Sequence, residues 1–381
     1  MYKKIIVPTD MGWETISRRV YGLPDRAGEI AKLNNCINSG EILYETDETD
    51  EKPVKSVTLT IGETVLTNFA EYRLVEGLEC YRGAVFVIDN KDLDVKIGDF
   101  ATVHDADGLF LKGFVRNIKA NFSASGNWLQ VEIKSQAGFL NESHINKEQL
   151  ESRHLTLKEV LTQLLNGFGV KFTLEELSVF DEVFTNSIDT GFSADLNETA
   201  DRFLRRVCNS RRIAIKDTGD GLFIGKIDTS ADVKLNLIDN ASIGIKFGSS
   251  RFLTVGLARN YETNTQFPTV ASTSAATPLC FPILKRYNSA DYNGEDVSTA
   301  GKIASKELGD SFYVDYGLSA DLPIRAGSVA MVRDARLLIT EETEFIVETV
   351  ERQNNRTTLL HLVLPCKYTG EIPKELPACR F

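Results

Sequence analysis

The sequence predicts a mainly β fold with an α+β part, and two observations carry this. Apolar residues alternate with polar ones at Val57, Leu59 and Ile61, and again at Leu129, Val131 and Ile133, the period-two pattern of half-buried strands. Between 151 and 245 the spacing turns helical, with Leu157, Val160, Leu161, Leu164 and Leu165 recurring three and four residues apart.

Composition bounds the rest. The chain has 381 residues, 42% hydrophobic and 25% charged, the balance of a soluble globular protein. At roughly 100–200 residues per domain this length predicts two to four domains. There are 43 Lys+Arg against 54 Asp+Glu, a formal net charge of −11. A pI near 5.1 argues against a protein that grips nucleic acid through its phosphates. No apolar run approaches the about 20 residues of a membrane span, and the start MYKKIIVPTDMGWE is not a signal peptide. Cys36, Cys80, Cys208, Cys280, Cys366 and Cys379 are widely spaced, without a C-x-x-C pair or a histidine at zinc-ligand spacing. Reduced, buried thiols and a reducing cytoplasm are the expectation.

Taken in order, residues 1–44 predict a strand from Lys3 to Val7 and two short helices. Trp13, Ile16 and Val20 line one face of the first, Gly22-Leu23-Pro24 breaks it, and Ala27, Ile30, Ala31 and Leu33 mark the second. Residues 45–53 read as a solvated linker: Glu45 to Glu51 holds five acids in seven positions, and Pro53 closes it. The run lacks the glycine and glutamate of a calcium loop. Residues 54–150 predict β-structure. Ala84 to Ile88 is continuously apolar, as in a strand covered on both faces, and Asp107-Gly108 marks a hairpin. The neighbouring His104, Asp105 and Asp107 read as its polar tip.

Residues 151–245 form an α/β segment. Thr156 and Glu159 make a capping box, and Gly167 and Gly169 stop that helix. A second helix puts Ala200, Phe203, Leu204, Val207 and Cys208 on one face and Arg202, Arg205 and Arg206 on the other. Without a glycine-rich loop beside them, these arginines and the Arg211-Arg212 pair read as solvated rather than phosphate-binding. Asp220-Gly221 marks another hairpin, and DGLFIGK at 220–226 echoes DGLFLKG at 107–113, through either a repeat or recurrent hairpin chemistry. Residues 246–365 return to β-structure around one helix carrying Val297, Ala300, Ile303, Ala304 and Leu308. Strands are expected at Ser328 to Val332, Leu337 to Ile339, Phe345 to Val350 and Thr357 to Leu364. Gln266 to Pro282 reads as an exposed loop, and the tail, 366–381 with Pro373 and Pro377, as extended.

Catalytic motifs are missing. There is no G-x-S-x-G, H-E-x-x-H, P-loop or dinucleotide fingerprint. The four histidines, His104, His144, His154 and His361, sit apart from any nucleophile in a recognisable context. No catalytic residue, cofactor or metal is therefore assigned.

Two resemblances follow from the segment order. Residues 12–34, GWETISRRVYGLPDRAGEIAKLN, resemble a LysM-like module. Beyond it, five short elements in order resemble the Mu-like baseplate hub family of contractile phage tails. They are Gly108 to Val115; Lys134 to Glu142; Thr156 to Val170; Glu198-Thr199 with Leu204, Arg206 and Ser210-Arg211-Arg212; and Val347, Val350 and Thr357 with Leu360 to Pro365. The second element lacks the family's Gly-Arg, and the LysM-like module is an addition to the family plan.

The hub resemblance implies a structural, non-enzymatic role. Residues 54–150 and 246–365 would be two related tube-type β-barrel domains, with 151–245 a peripheral α/β domain. The chain would trimerise in the virion tail baseplate, after assembly in the host cytoplasm, and adapt the hexameric tail tube to the trimeric spike. Its implied partners are its own copies, the tail tube protein, the spike protein and the baseplate wedge proteins. Genomic DNA would pass through without specific binding, an acidic lumen repelling its phosphates. The LysM-like surface, Trp13, Tyr21 and Asn34, would serve as a protein clip or as a peptidoglycan site; an unrecognised tail-associated cell-wall hydrolase is the remaining alternative. Pull-down of residues 1–50 on purified peptidoglycan checks the clip reading, which expects them in the unbound fraction.

Overall fold

A computed structural model describes residues 2–7, 12–14, 16–17, 27–34, 40–45, 57–89, 94–123, 126–145, 155–181, 183, 197–209, 211–227, 232–233, 241–245, 253–258, 283–288, 305–306, 309–310, 312–318, 324–334, 339–354 and 358–370. The chain divides into two compact units, 1–57 and 58–381.

In the first unit β1 (Tyr2–Val7) runs antiparallel to β2 (Gly40–Glu45), with Tyr2 opposite Glu45 and Val7 opposite Gly40. Between them lie a helical turn, where the Ile16 N–H donates to the Gly12 carbonyl at 3.0 Å, and α1 (Ala27–Leu33). Ile16 and Ile30, the inward positions of the two helical patterns, are buried. The strand at 40–45 has no counterpart in the sequence reading, because Ile42-Leu43-Tyr44 breaks the alternation that marks strands elsewhere.

The second unit begins with β3 (Thr58–Ile61), β4 (Thr64–Leu66), β5 (Glu71–Gly77), β6 (Gly83–Asp89), β7 (Phe100–Asp105), β8 (Gly108–Ser123) and β9 (Gly126–Ser135). An α/β segment follows: α2 (Leu157–Gly167), β10 (Phe172–Leu174), α3 (Ala200–Asn209), β11 (Ala214–Asp217) and β12 (Leu222–Gly225). The chain then returns to strands: β13 (Asp232–Val233), β14 (Ala241–Ile245), β15 (Leu253–Ala258), β16 (Ile283–Asn288), β17 (Phe312–Leu318), β18 (Val329–Asp334), β19 (Ile339–Gln353) and β20 (Thr358–Val363). A short helix, α4 (Cys366–Thr369), comes last. Both β regions join one 13-stranded sheet in the order β14-β17-β20-β19-β5-β6-β9-β8-β7-β3-β4, with β18 also on β19 and β13 on β18. The antiparallel pairing of β5 with β19 makes the join.

The two β regions repeat one plan. Before β7, Gly98 turns at φ 93°, its N–H donating to Val115 O at 2.9 Å while Val115 N–H donates to Asp99 O. Before β18, Gly327 turns at φ 91°, its N–H donating to Val347 O at 2.8 Å while Val347 N–H donates to Ser328 O. A side chain at either glycine would be strained by the left-handed backbone. One residue after each valine the register slips, at Arg116 in β8 and at Glu348 in β19. Such a bulge bends the strand and increases its twist. The large buried side chains correspond as well: Phe86 of β6 and Tyr316 of β17 are nearly inaccessible and occupy the same register position. The DGLF echo is a different matter, because its copies cap different hairpins, β7–β8 and β11–β12.

The α/β segment has its own core. α2 and α3 bury all ten positions expected from their spacing, five each, against Tyr81, Leu140, Phe180 and Ile224. In the capping box, Thr156 Oγ1 accepts from Glu159 N at 3.2 Å and Glu159 Oε2 accepts from Thr156 N at 2.7 Å. β10 lies parallel to β12, and β11 antiparallel to it. The expected extended tail is corrected at its start: residues 366–369 are helical, because Pro365 suits a helix N-terminus and Gly370, at φ 75°, closes it. Of the expected helix at 297–308, only Ser305 and Lys306 are described, both helical. The expected loop 266–282 lies outside the described residues.

Two tests follow from these local rules. A Cβ at Gly113 would lie 1.8 Å from Lys134 O across the β8–β9 pair, so Gly113→Ala should lose about 1–3 kcal/mol in urea unfolding. The Thr156 N–H and hydroxyl hold the Glu159 carboxyl below its ordinary pKa. Its contribution is present above the ordinary carboxylate range and lost as pH falls through the lowered value. Thr156→Ala should flatten that acid limb of the stability profile.

Candidate functional site

The residues singled out in the N-terminal unit are only partly described. Trp13 is half-buried, and the Asn34 side chain turns back so that Nδ2 donates to Ile30 O at 2.8 Å, satisfying a carbonyl at the end of α1. Tyr21 lies outside the described residues. His104 and His144 are exposed, and His361 lies between Asp315, at 2.6 Å, and Glu348, at 3.6 Å; His154 is outside the described residues. Among the described residues no group of three His, Cys, Asp or Glu could hold a metal, and no helix is long and apolar enough to cross a membrane. The described cysteines are free thiols. Burial pushes Cys80 up to about 11, and Cys208 and Cys366 up to about 12, so they stay protonated and poorly nucleophilic. Cys36, Cys280 and Cys379 lie outside the described residues.

The charges that the structure gathers stand where the three segments of the second unit meet. At the centre is the β5–β6 connection, residues 78–82. Arg82 pairs with Glu76 at 2.8 Å, with both side chains under a tenth exposed. Its guanidinium also donates to the carbonyls of Phe110, at 2.6 Å, and Thr218, at 3.1 Å. Phe110 is the bulged residue of β8, and Thr218 begins the β11–β12 turn, so one side chain ties that turn to the bulge. The backbone completes the dock: Lys112 N–H donates to Gly219 O at 2.7 Å, and a Cβ at Gly219 would lie 2.2 Å from Phe110 O. Asp217 accepts from the backbone N–H of Arg82 and Gly219 and from the Ser135 hydroxyl. Burial nevertheless raises its pKa.

The network extends into the second β region. Arg352 donates to Asp105 at 2.8 Å and to Ile324 O at 2.7 Å. Arg325 reaches Asp105 and Asp107, each at 2.9 Å. Asp105 is therefore a buried anchor rather than the polar hairpin tip expected from sequence, its charge balanced by arginines more than 200 residues away. Two of the three α3 arginines, Arg205 and Arg206, correct a second expectation. Arg205 is only 14% exposed. It pairs with Asp201 at 2.8 Å, donates to Leu78 O at 2.8 Å and lies 5.2 Å from the Tyr81 ring. Tyr81 in turn donates to Asp201 at 2.5 Å. Arg206 makes a two-pronged bond to Glu198. Arg205 thus staples α3 to the β5–β6 connection, while Arg202 is exposed as expected.

A third cluster sits on the β19 bulge. Glu348 accepts from Lys367 and from the Tyr368 hydroxyl, and Lys367 also reaches Asp310 at 2.6 Å. The Glu348 carbonyl meanwhile accepts from Leu78 N–H at 2.9 Å. A cleft of about 380 Å³ opens beside the 218–221 turn, lined by Phe100, Lys112, Ala137, Val170 and Asp220. Its two lysines each pair with Asp220. These arrangements hold segments together. Sequence reasoning missed them because no local pattern distinguishes a buried Asp or Arg from a solvated one.

No protein-family model and no curated protein matches the chain. Solved structures do. The tail protein from Neisseria meningitidis MC58 superposes with a TM-score of 0.64 at 15% identity, over 82% of this chain and 98% of that one. The 43 kDa tail protein of prophage MuSo2 from Shewanella oneidensis gives 0.61 at 16%, over 82% and 99%. Prophage tail protein gp18 from Listeria monocytogenes EGD-e gives 0.56 at 9%, over 81% and 94%. This chain has the fold of prophage tail proteins.

The junction predicts a measurable coupling. Arg82→Met leaves Glu76 with less compensation in a buried site and should cost about 3–5 kcal/mol in urea unfolding. Pairing it with Glu76→Met should recover about 1–3 kcal/mol relative to the sum of the single losses.

Proposed function

We propose that the chain is a structural baseplate hub subunit of a contractile tail, a homotrimer between the hexameric tail tube and the trimeric spike with a channel for DNA. The observation that carries this reading is the repeated plan within one continuous sheet, the Gly98 and Gly327 turns and the Arg116 and Glu348 bulges. Three chains, each with two such β regions, supply six like units to a sixfold tube while keeping threefold symmetry toward a spike. The fold shared with prophage tail proteins supports it. In this reading 54–150 and 246–365 are the tube-type domains, the second joined in the sheet by β13 and β14; the rest of 151–245 stands at the periphery, and the tail tube, spike and wedge proteins are the partners. The virion tail baseplate is the site of action, after assembly in the host cytoplasm.

The N-terminal unit acts as a clip to a neighbouring protein. Its antiparallel strand pair enclosing helical segments favours a LysM-like module, and glycan binding through Trp13, Tyr21 and Asn34 is its alternative use. The net charge of −11 suits a conduit that DNA traverses without sticking. Reversal of lumen acids should then slow DNA ejection from assembled particles, with unchanged ejection kinetics counting against the conduit.

Light scattering on the purified chain tests the central claim. A mass near three times the 42.4 kDa of one chain is expected. A stable monomer that cleaves or retains peptidoglycan would overturn it.

A further inference from the structure

The repeat makes one contact in the chain comparable with a place where that contact is missing. β5 lies on the C-terminal part of β19, with Glu76 opposite Val350 and Leu74 opposite Arg352. Alignment of the two bulges puts Asn117 of β8 where β19 has Thr349, so Ile118, Lys119, Ala120 and Asn121 stand where Val350, Glu351, Arg352 and Gln353 stand. The other side of the contact has its counterpart too. β5 pairs with β6 through Leu74 opposite Ala84, and β14 pairs with β17 through Ile243 opposite Val314. Ala84 and Val314 correspond, because Ile133 and Leu362, their partners on β9 and β20, oppose Val115 and Val347. β14 is therefore the counterpart of β5, and the second half of β8 the counterpart of the second half of β19.

One of these two seams is filled within the chain, and among the described residues the other is open at both edges. Among the described residues, β8 from Asn117 onward pairs only with β9, and β14 pairs only with β17. Exposure follows the same division. Val350 is 1% exposed and Arg352 7%, whereas Ile118 is half-buried and Ala120 exposed. A bare strand edge offers a row of N–H and C=O groups to another strand. The in-chain seam shows which strand this edge geometry accepts.

We infer that β14 of one copy adds antiparallel to β8 of a neighbouring copy, with Ile118 opposite Ile245, Lys119 opposite Gly244, Ala120 opposite Ile243 and Asn121 opposite Ser242. The partner is a second copy of this chain, and the inference rests on the hub reading, since three copies close the ring through alternating in-chain and between-chain seams. The contact is head-to-tail: each copy gives β14 on one side and receives on β8 at the other.

Cysteine cross-linking tests it on the full chain. Opposite positions in an antiparallel pair have Cβ atoms about 4.5–5.5 Å apart, close to disulfide reach. Ala120→Cys with Ile243→Cys should give disulfide-linked dimers and trimers on mild oxidation, the linked peptides joining these two positions by mass spectrometry. Either substitution alone should give none. A trimer by light scattering that forms no such link, and none with Lys119→Cys and Gly244→Cys, overturns the seam while leaving the hub reading in place; a monomer overturns both. If the double variants fail to assemble, hydrogen exchange on the unsubstituted trimer decides. Amides 117–121 should exchange as slowly as 349–353, and fast exchange there overturns the seam.

Discussion

Everything in the second unit depends on neutralising charge where three segments converge. Arg82, Glu76, Asp105, Asp217 and Arg352 are each at least nine-tenths buried, and an isolated ion in such a place costs several kcal/mol. The fold meets that cost with mutual pairing and with carbonyls the architecture exposes for the purpose: Phe110 at a bulge, Thr218 in a turn and Ile324 before β18. Satisfying these groups requires all three segments at once. The first β region formed alone would leave Asp105 without Arg325 and Arg352, so the network rewards the complete arrangement over partial ones.

The β5–β6 connection concentrates this dependence. Leu78 gives its N–H to Glu348 and its carbonyl to Arg205, and its side chain packs with Ile346 and Val363. Tyr81 carries the connection into the core of the α/β segment, and Arg82 carries it to the β11–β12 turn. Gly77 lets it pass: a Cβ there would meet Cys80 Sγ at 2.6 Å. The α/β segment is thus fixed to the first β region by backbone and charge and by Tyr81, Ala137 and Leu140, which join its apolar core, while the sheet is continuous between the β regions. One continuous sheet suits a chain whose proposed task is to hold ring geometry.

Much of the local structure was legible in the chain. α2 and α3 bury the residues their spacing selects, the Thr156–Glu159 box forms, and the Asp107-Gly108 and Asp220-Gly221 turns cap hairpins. These succeed because periodicity, caps and turns are properties of a few neighbouring residues. The strand at 40–45 escaped notice where its pattern was broken, and the helical start of the tail was outweighed by the prolines that follow it. Arg205 departs from its solvated expectation for another reason: whether it meets water or the Tyr81–Asp201 pair is set by a residue more than 120 positions away.

The sequence by itself determined the class of fold, the alternation of β, α/β and β regions, and the lack of any recognisable catalytic motif, because composition and short-range period carry that information. The tertiary structure alone decided that the two β regions share one sheet, and that buried Asp105 and half-buried Arg205 are fastenings. Only three-dimensional register aligns Gly98 with Gly327 and Arg116 with Glu348. The physical reason is that hydrogen-bond register and burial depend on partners distant along the chain, and side chains as different as arginine and glutamate fill the same bulge.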